Sequence, residues 1–167
     1  MKMKRLFLSL VLAAVAASVP AQQVYDMVFD SATRTVNDPT SSYTQVKLAQ
    51  FKKTALTYMR VRAEASDTLV SYRVLDYQAY YLSQFTTAYL REILRYSGDH
   101  QKGNRETAIR MFIKASLDCP MWNDPDTATS QAYVSEDEEL TPFSLDTDWQ
   151  KAFEEVQYLL RQIPGHD

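Results

Sequence analysis

Apolar side chains recur every three or four residues along most of this 167-residue chain. That spacing places them on one face of an α-helix. The clearest stretch is residues 67–96, which contain neither Gly nor Pro. It carries two adjacent apolar rows, so we expect it to be covered on more than one side and to form the central helix. The rows are Tyr72, Leu75, Ala79, Leu82, Tyr89, Ile93 and Tyr96, and Val70, Val74, Tyr77, Tyr81, Phe85 and Ala88.

The same period predicts four further helices. Ser42 with Gln45, and Thr147 with Gln150, have the spacing of capping boxes, in which each side chain bonds the other residue's backbone amide. A turn near residue 66 is favoured over one continuous helix, which would be about 80 Å long and would leave apolar rows exposed. The predicted fold class is all-α: a small five-helix domain of antiparallel hairpins, with helices at 24–36, 42–65, 67–96, 104–117 and 147–163.

Residues 118–146 interrupt the helical period. They contain three prolines and are rich in Asp, Ser and Thr. We expect a long irregular acidic loop, with one helical turn near residues 135–140. Loops of this length are usually functional or disordered. Four apolar or aromatic residues are expected to hold it against the helices: Trp122, Tyr133, Leu140 and Phe143.

The first 21 residues are typical of a cleaved signal peptide. A basic start is followed by a short apolar run, and residues 19–21 fit a small-x-small cleavage site. The run is shorter than the roughly 20 residues needed to span a membrane, although a retained anchor is the alternative. Residues 22–167 are therefore expected to be a single soluble, exported domain, either periplasmic or extracellular.

Charge is distributed unevenly along the chain. The expected mature part holds 15 basic and 21 acidic residues, a net charge of −6, which disfavours nucleic acid or an anionic membrane surface as partner. Residues 47–114 hold twelve basic and six acidic residues, whereas residues 117–148 hold nine acidic and no basic ones. The acidic loop therefore either binds a cation or a basic partner, or folds over the basic helices and neutralises them.

The sequence gives little support for catalysis. The two histidines lack metal-ligand spacing, and there is no G-x-S-x-G motif and no Gly-rich phosphate loop. The single cysteine, Cys119, cannot form an internal disulfide, and its thiol is either buried or free to pair between chains. We expect a non-enzymatic protein without a cofactor.

One short segment resembles a known repeat. Ala108, Phe112, Ala115 and Pro120 stand at the offsets found in the second helix of a tetratricopeptide repeat, which residues 108–120 resemble. The Trp, Leu, Gly and Tyr of that family's first helix are missing upstream. The resemblance implies a short helix whose small residues let a neighbouring helix pack closely and whose proline ends it.

Two groups of residues are candidate partner-binding sites. Six of the eleven tyrosines lie in residues 67–96, and Tyr77, Tyr80 and Tyr81 are the candidates to line a groove for a protein, a peptide or a sugar. The alternative is that these rings fill the core. The second group is an acidic run expected at the rim of that groove: Glu136, Asp137, Glu138 and Glu139.

A metal site is not predicted. Calcium takes roughly six to eight oxygen ligands, and Asp124 and Asp126 are weak candidates because no Gly-containing loop follows them. The leading hypothesis is an exported binding or scaffold protein that recognises a protein or peptide. A small-ligand protein for a glycan or a cation is the alternative, and an uncharacterised hydrolase is the third possibility. The oligomeric state is not predicted.

Overall fold

The computed structural model describes residues 23–66, 72–124, 129–137 and 139–163, so the expected signal peptide lies outside the described residues. A mostly helical fold is confirmed. A short 3₁₀ helix, Asp99–Gln101, precedes the fourth α-helix. In chain order, the described elements are α1 (Gln23–Asn37), α2 (Tyr43–Ala65), α3 (Tyr72–Arg95), α4 (Lys102–Asp118), β1 (Thr129–Tyr133), β2 (Leu140–Ser144) and α5 (Trp149–Arg161).

Helix α3 occupies the centre of the fold. It contacts each of the other four helices, and the side chains of Leu82, Phe85 and Tyr89 are fully buried. The ring centroid of Phe85 lies 5.1 Å from that of Phe112 in α4 and 5.3 Å from that of Trp149 in α5. The predicted role of this helix as the organising element is therefore confirmed.

Helix α2 has the boundaries that the sequence predicts. Ser42 Oγ accepts a hydrogen bond from the Gln45 backbone N–H, and Gln45 Oε1 accepts one from the Ser42 N–H, which confirms the capping box. At the other end Ser66 is extended, with ψ of 136°, so α2 stops there. The predicted start of the central helix, residues 67–71, falls outside the described part of the chain.

Two predicted helix starts are wrong. Helix α4 begins two residues before Asn104, the predicted first residue, which instead lies inside the helix with an exposed side chain. Helix α5 is capped by Asp148, whose side chain accepts from the Lys151 N–H at 3.2 Å. Thr147 is not the cap, and its buried hydroxyl instead donates to the Ser116 carbonyl, 2.9 Å away.

The prediction of an irregular loop over residues 118–146 is also wrong in part. Strands β1 and β2 pair antiparallel there, with Thr129 opposite Ser144. Where a helical turn was expected near residues 135–140, residues 135–137 form bends and turns after β1 and Leu140 begins β2, while residue 138 lies outside the described part of the chain. Two strands of five residues, one of them containing a proline, give too short an alternation to stand out in sequence.

The hairpin contributes directly to the core. Ala132 and Phe143 are fully buried, and the Phe143 ring lies 5.2 Å from Phe51 and 5.1 Å from Tyr89. The expectation that aromatic residues hold this segment against the helices is therefore confirmed for Phe143. Within the described part of the chain, no helix is long and apolar enough to cross a membrane.

Candidate functional site: a tyrosine cleft

Three tyrosines of α3 form one wall of a surface cleft of about 470 Å³. The cleft lies where the start of α1 meets the first turns of α3. We call it the tyrosine cleft, and it is lined by Val24, Arg73, Asp76, Tyr77, Tyr80 and Tyr81. The structure thus brings together the three tyrosines that the sequence singled out.

The three tyrosine rings contact one another, and Tyr81 also packs against α5. The rings of Tyr77 and Tyr81 are stacked, with centroids 6.3 Å apart and planes at 29°, while Tyr80 meets Tyr81 edge to face at 5.2 Å. Tyr81 is half-buried against Phe153 of α5, at 6.0 Å. Tyr77 is 62% exposed and Tyr80 48%. The Tyr77 and Tyr80 rings are therefore accessible from solvent, while Phe153 holds Tyr81 in place.

Two charged residues complete the cleft. Asp76 Oδ1 accepts a hydrogen bond of 2.8 Å from the Tyr25 backbone N–H, which belongs to the first turn of α1 and has no acceptor within its own helix. This bond joins the two walls of the cleft. Arg73 is exposed and makes no ion pair with any described residue. Its guanidinium is free to bind a carboxylate with two parallel hydrogen bonds.

The acidic run lies at a second cleft, which we call the charged cleft. Asp137 and Glu139 form part of its hairpin wall, and Lys102, Arg105 and Arg110 of α4 lie in the opposite wall. Its volume is about 640 Å³. The charged cleft and the tyrosine cleft share no lining residue.

The other two residues of the acidic run do not add to the charged cleft. Glu136 is exposed and does not line it, and Glu138 lies outside the described residues. Asp137 and Glu139 therefore line the charged cleft, together with basic side chains of α4, and not the rim of the tyrosine cleft where the run was expected.

Other acidic residues of the segment anchor its backbone. Asp146, 1% exposed, accepts hydrogen bonds from the N–H groups of Met121, Trp122 and Asp124, at 3.1, 2.8 and 2.8 Å. A carboxylate that accepts several backbone N–H groups satisfies donors that burial has removed from water. Asp146 therefore anchors the backbone of its own segment, a role that differs from the expected neutralisation of the basic helices.

Asp124, one of the two weak metal candidates, is engaged in an ion pair. Its Oδ2 lies 3.3 Å from Arg62 Nε and accepts from the Tyr58 hydroxyl at 3.2 Å. Burial of Tyr58, together with the negative charges of Asp146 and Asp124, raises the pKa of Tyr58 to about 12. Asp126 lies outside the described residues, and the described ones include no group of three His, Cys, Asp or Glu side chains able to hold a metal ion.

Cys119 is half-buried at the end of α4. Burial raises the pKa of its thiol, and the carboxylates of Glu155, Asp148 and Asp118 raise it further. The thiolate is the nucleophilic form of cysteine, so this environment disfavours nucleophilic chemistry at Cys119.

A buried glutamine was missed by sequence reasoning. Gln78, 6% exposed, donates from Nε2 to Asp148 Oδ1 at 3.0 Å and accepts at Oε1 from the Trp149 N–H at 2.7 Å. These bonds join α3 to the start of α5. The available signal was one amide on the apolar face of α3, next to Leu75 and Leu82.

Comparisons with protein-family models, with curated proteins and with solved structures find no match for this chain. We therefore infer its function from the geometry of the clefts.

Proposed function

We propose that this chain is an exported, non-enzymatic binding or scaffold protein that recognises a protein or peptide through the tyrosine cleft. The observation that carries the proposal is the exposure of Tyr77 and Tyr80, 62% and 48%, inside a concave site. Tyrosine is enriched at protein interfaces because its ring offers apolar area and its hydroxyl offers a hydrogen bond.

The contacts that hold Tyr81 and the start of α1 in place favour binding without rearrangement of the cleft. Tyr81 is held by Phe153, and Asp76 fixes the start of α1 against α3. A tyrosine has few rotatable bonds, and a ring on a helix loses little conformational freedom when a partner binds. The cleft is therefore largely formed before the partner arrives.

The lining of the cleft limits the chemistry of the partner. Tyrosine rings and Val24 provide mostly apolar surface, and Arg73 provides a cation that has no ion-pair partner among the described residues. We infer a peptide segment that inserts an apolar or aromatic side chain between the tyrosines and places a carboxylate on Arg73. A glycan is the second candidate, because the exposed Tyr77 and Tyr80 rings offer apolar surface on which a sugar ring can stack.

The test is selection of peptides from a displayed library on residues 22–167, followed by affinity measurements on purified variants. Tyr77→Ala and Tyr80→Ala are expected to weaken binding by about 30-fold each, the equivalent of about 2 kcal/mol for a central aromatic contact. Tyr158→Ala is the matched control, since Tyr158 is 59% exposed on α5 and outside the cleft. Equal losses in all three variants would contradict the proposal.

Two further measurements test whether the charged cleft contributes to binding and whether the ligand is a glycan. A variant with residues 136–139 neutralised is expected to weaken binding only if the charged cleft contributes, and unchanged binding confines the site to the tyrosine cleft. Simple glycans are tested by the same titration. Saturable binding of a glycan that is lost in Tyr77→Ala would replace the peptide by a sugar as the ligand.

A further inference from the structure

A small cleft on another part of the surface contains an unusual lysine. The cleft lies among α1, α2 and α3 and has a volume of about 180 Å³. We call it the lysine cleft. Its polar lining residues are Lys52 and Gln45 from α2, Ser31 and Thr35 from α1, and Thr86 and Thr87 from α3.

The Lys52 ammonium has no counter-charge among the described residues. Neighbouring Lys53 lies over the Phe29 ring at 5.4 Å, whereas Lys52 lines the cleft between the three helices. No described carboxylate lines the cleft, and Lys52 makes no ion pair with any described residue. Burial lowers the pKa of Lys52, because the charged form loses hydrating water. An anion at this position would supply the missing interaction.

The neighbouring groups provide further donors. Gln45 Oε1 is held by the Ser42 N–H in the capping box, so the amide NH₂ is the end of this side chain without that bond. Ser31 contributes a hydroxyl at the same cleft. The hydroxyls of Thr35, Thr86 and Thr87 already donate to carbonyls in their own helices, at 3.1, 2.9 and 2.7 Å. The donors that remain for a ligand are thus those of Lys52, Gln45 and Ser31.

We propose that Lys52, Gln45 and Ser31 form a binding site for a small oxyanion, a phosphate or carboxylate group. A lysine ammonium supplies three donors and a full charge, which suits a compact anion. The volume of the cleft admits such a group together with a few waters. The site shares no lining residue with the tyrosine cleft, so the two proposals stand or fall separately.

The first test follows the melting temperature during titration with inorganic phosphate or acetate, with sodium chloride holding the ionic strength constant. Wild type, Lys52→Gln and Lys53→Gln are compared, the last as a control for a neighbouring charge. At ten times the dissociation constant, binding is expected to raise the melting temperature of wild type and Lys53→Gln by about 4 °C. Lys52→Gln is expected to show no saturable rise.

The outcomes of this titration distinguish a phosphate site from a general oxyanion site. A rise with phosphate alone assigns a phosphate site, and a rise with both anions assigns a general oxyanion site. Equal rises in all three proteins would reflect the general stabilising effect of salts and would overturn the proposal. So would a wild type that does not respond to either anion.

A second test needs no variant. Limited acetylation of the wild-type protein, read by mass spectrometry, compares Lys52 with Lys53 in the presence and absence of phosphate. At ten times the dissociation constant, Lys52 is expected to react about tenfold more slowly while Lys53 is unchanged. Parallel changes at both lysines, or none at Lys52, would also overturn the proposal.

Discussion

Asp146 is expected to hold the segment between α4 and the hairpin in place. In Asp146→Ala, three backbone N–H groups, those of Met121, Trp122 and Asp124, lose their acceptor. An unsatisfied buried donor costs about 1–3 kcal/mol, and these donors are only partly buried, so we take the lower end for each. The expected loss is about 3 kcal/mol of unfolding free energy, or about 10 °C in melting temperature for a domain of about 150 residues.

A graded series sharpens this prediction. Asp146→Asn keeps one carbonyl oxygen, but its NH₂ group would meet an N–H donor, so we expect roughly half the loss seen with alanine. Asp137→Asn is the control because Asp137 is an exposed acid of the same segment, and we expect a change within about 0.5 kcal/mol.

Urea unfolding, followed by circular dichroism and tryptophan fluorescence, measures the series. Trp122 reports on the anchored backbone because its own N–H bonds Asp146 and its ring lies 6.0 Å from Tyr58. If Asp146→Ala is no less stable than Asp137→Asn, the Asp146 carboxylate does not anchor the segment, and the role we give it is wrong.

Three further predictions concern stability. Burial of Asp148 opposes ionisation, but hydrogen bonds from Gln78 and Lys151 outweigh it and lower the pKa of Asp148. The ionised Asp148 therefore contributes to folding stability above the ordinary aspartate pKa, and this contribution is lost as pH falls through the pKa of Asp148 in the folded protein. Asp148→Asn should accordingly flatten the decline in melting temperature below about pH 4. The pKa of Lys52 is lowered from 10.5, so between the folded pKa and 10.5 the unfolded chain binds more protons than the folded one. Wild-type stability should therefore rise with pH through that window, whereas Lys52→Met should be more stable at neutral pH and lack this rise in thermal scans. Phe143→Ala, which empties a fully buried site, should lose about 3–5 kcal/mol in urea unfolding, and a loss below 1 kcal/mol would show that the hairpin is not part of the core.

Local sequence patterns predict those structural features that depend on residues close together in the chain. The capping box at Ser42 depends on two side chains three residues apart, and it forms as predicted. The proximity of Tyr77, Tyr80 and Tyr81 follows from helical spacing in the same way. The core role of α3 follows from its two apolar rows.

Long-range contacts decided the features that the sequence did not reveal. Thr147 has the spacing of a cap but is bonded to Ser116, 31 residues away, so the next residue, Asp148, caps α5. Lys52 has the sequence context of an exposed lysine, and only the meeting of three helices partly buries it. The opposite wall of the tyrosine cleft belongs to α1, about 50 residues away in the chain from Asp76.

The central claim is that a partner binds at the tyrosine cleft. The most direct measurement is a nitrogen-15 NMR titration of residues 22–167 with a selected peptide, following the backbone amide shifts. We predict that the amides of Val24, Tyr77 and Tyr80 shift in proportion to the bound fraction, while those of Lys102 and Asp137 in the charged cleft do not. Shifts confined to the charged cleft, with the tyrosine cleft unchanged, would contradict the account.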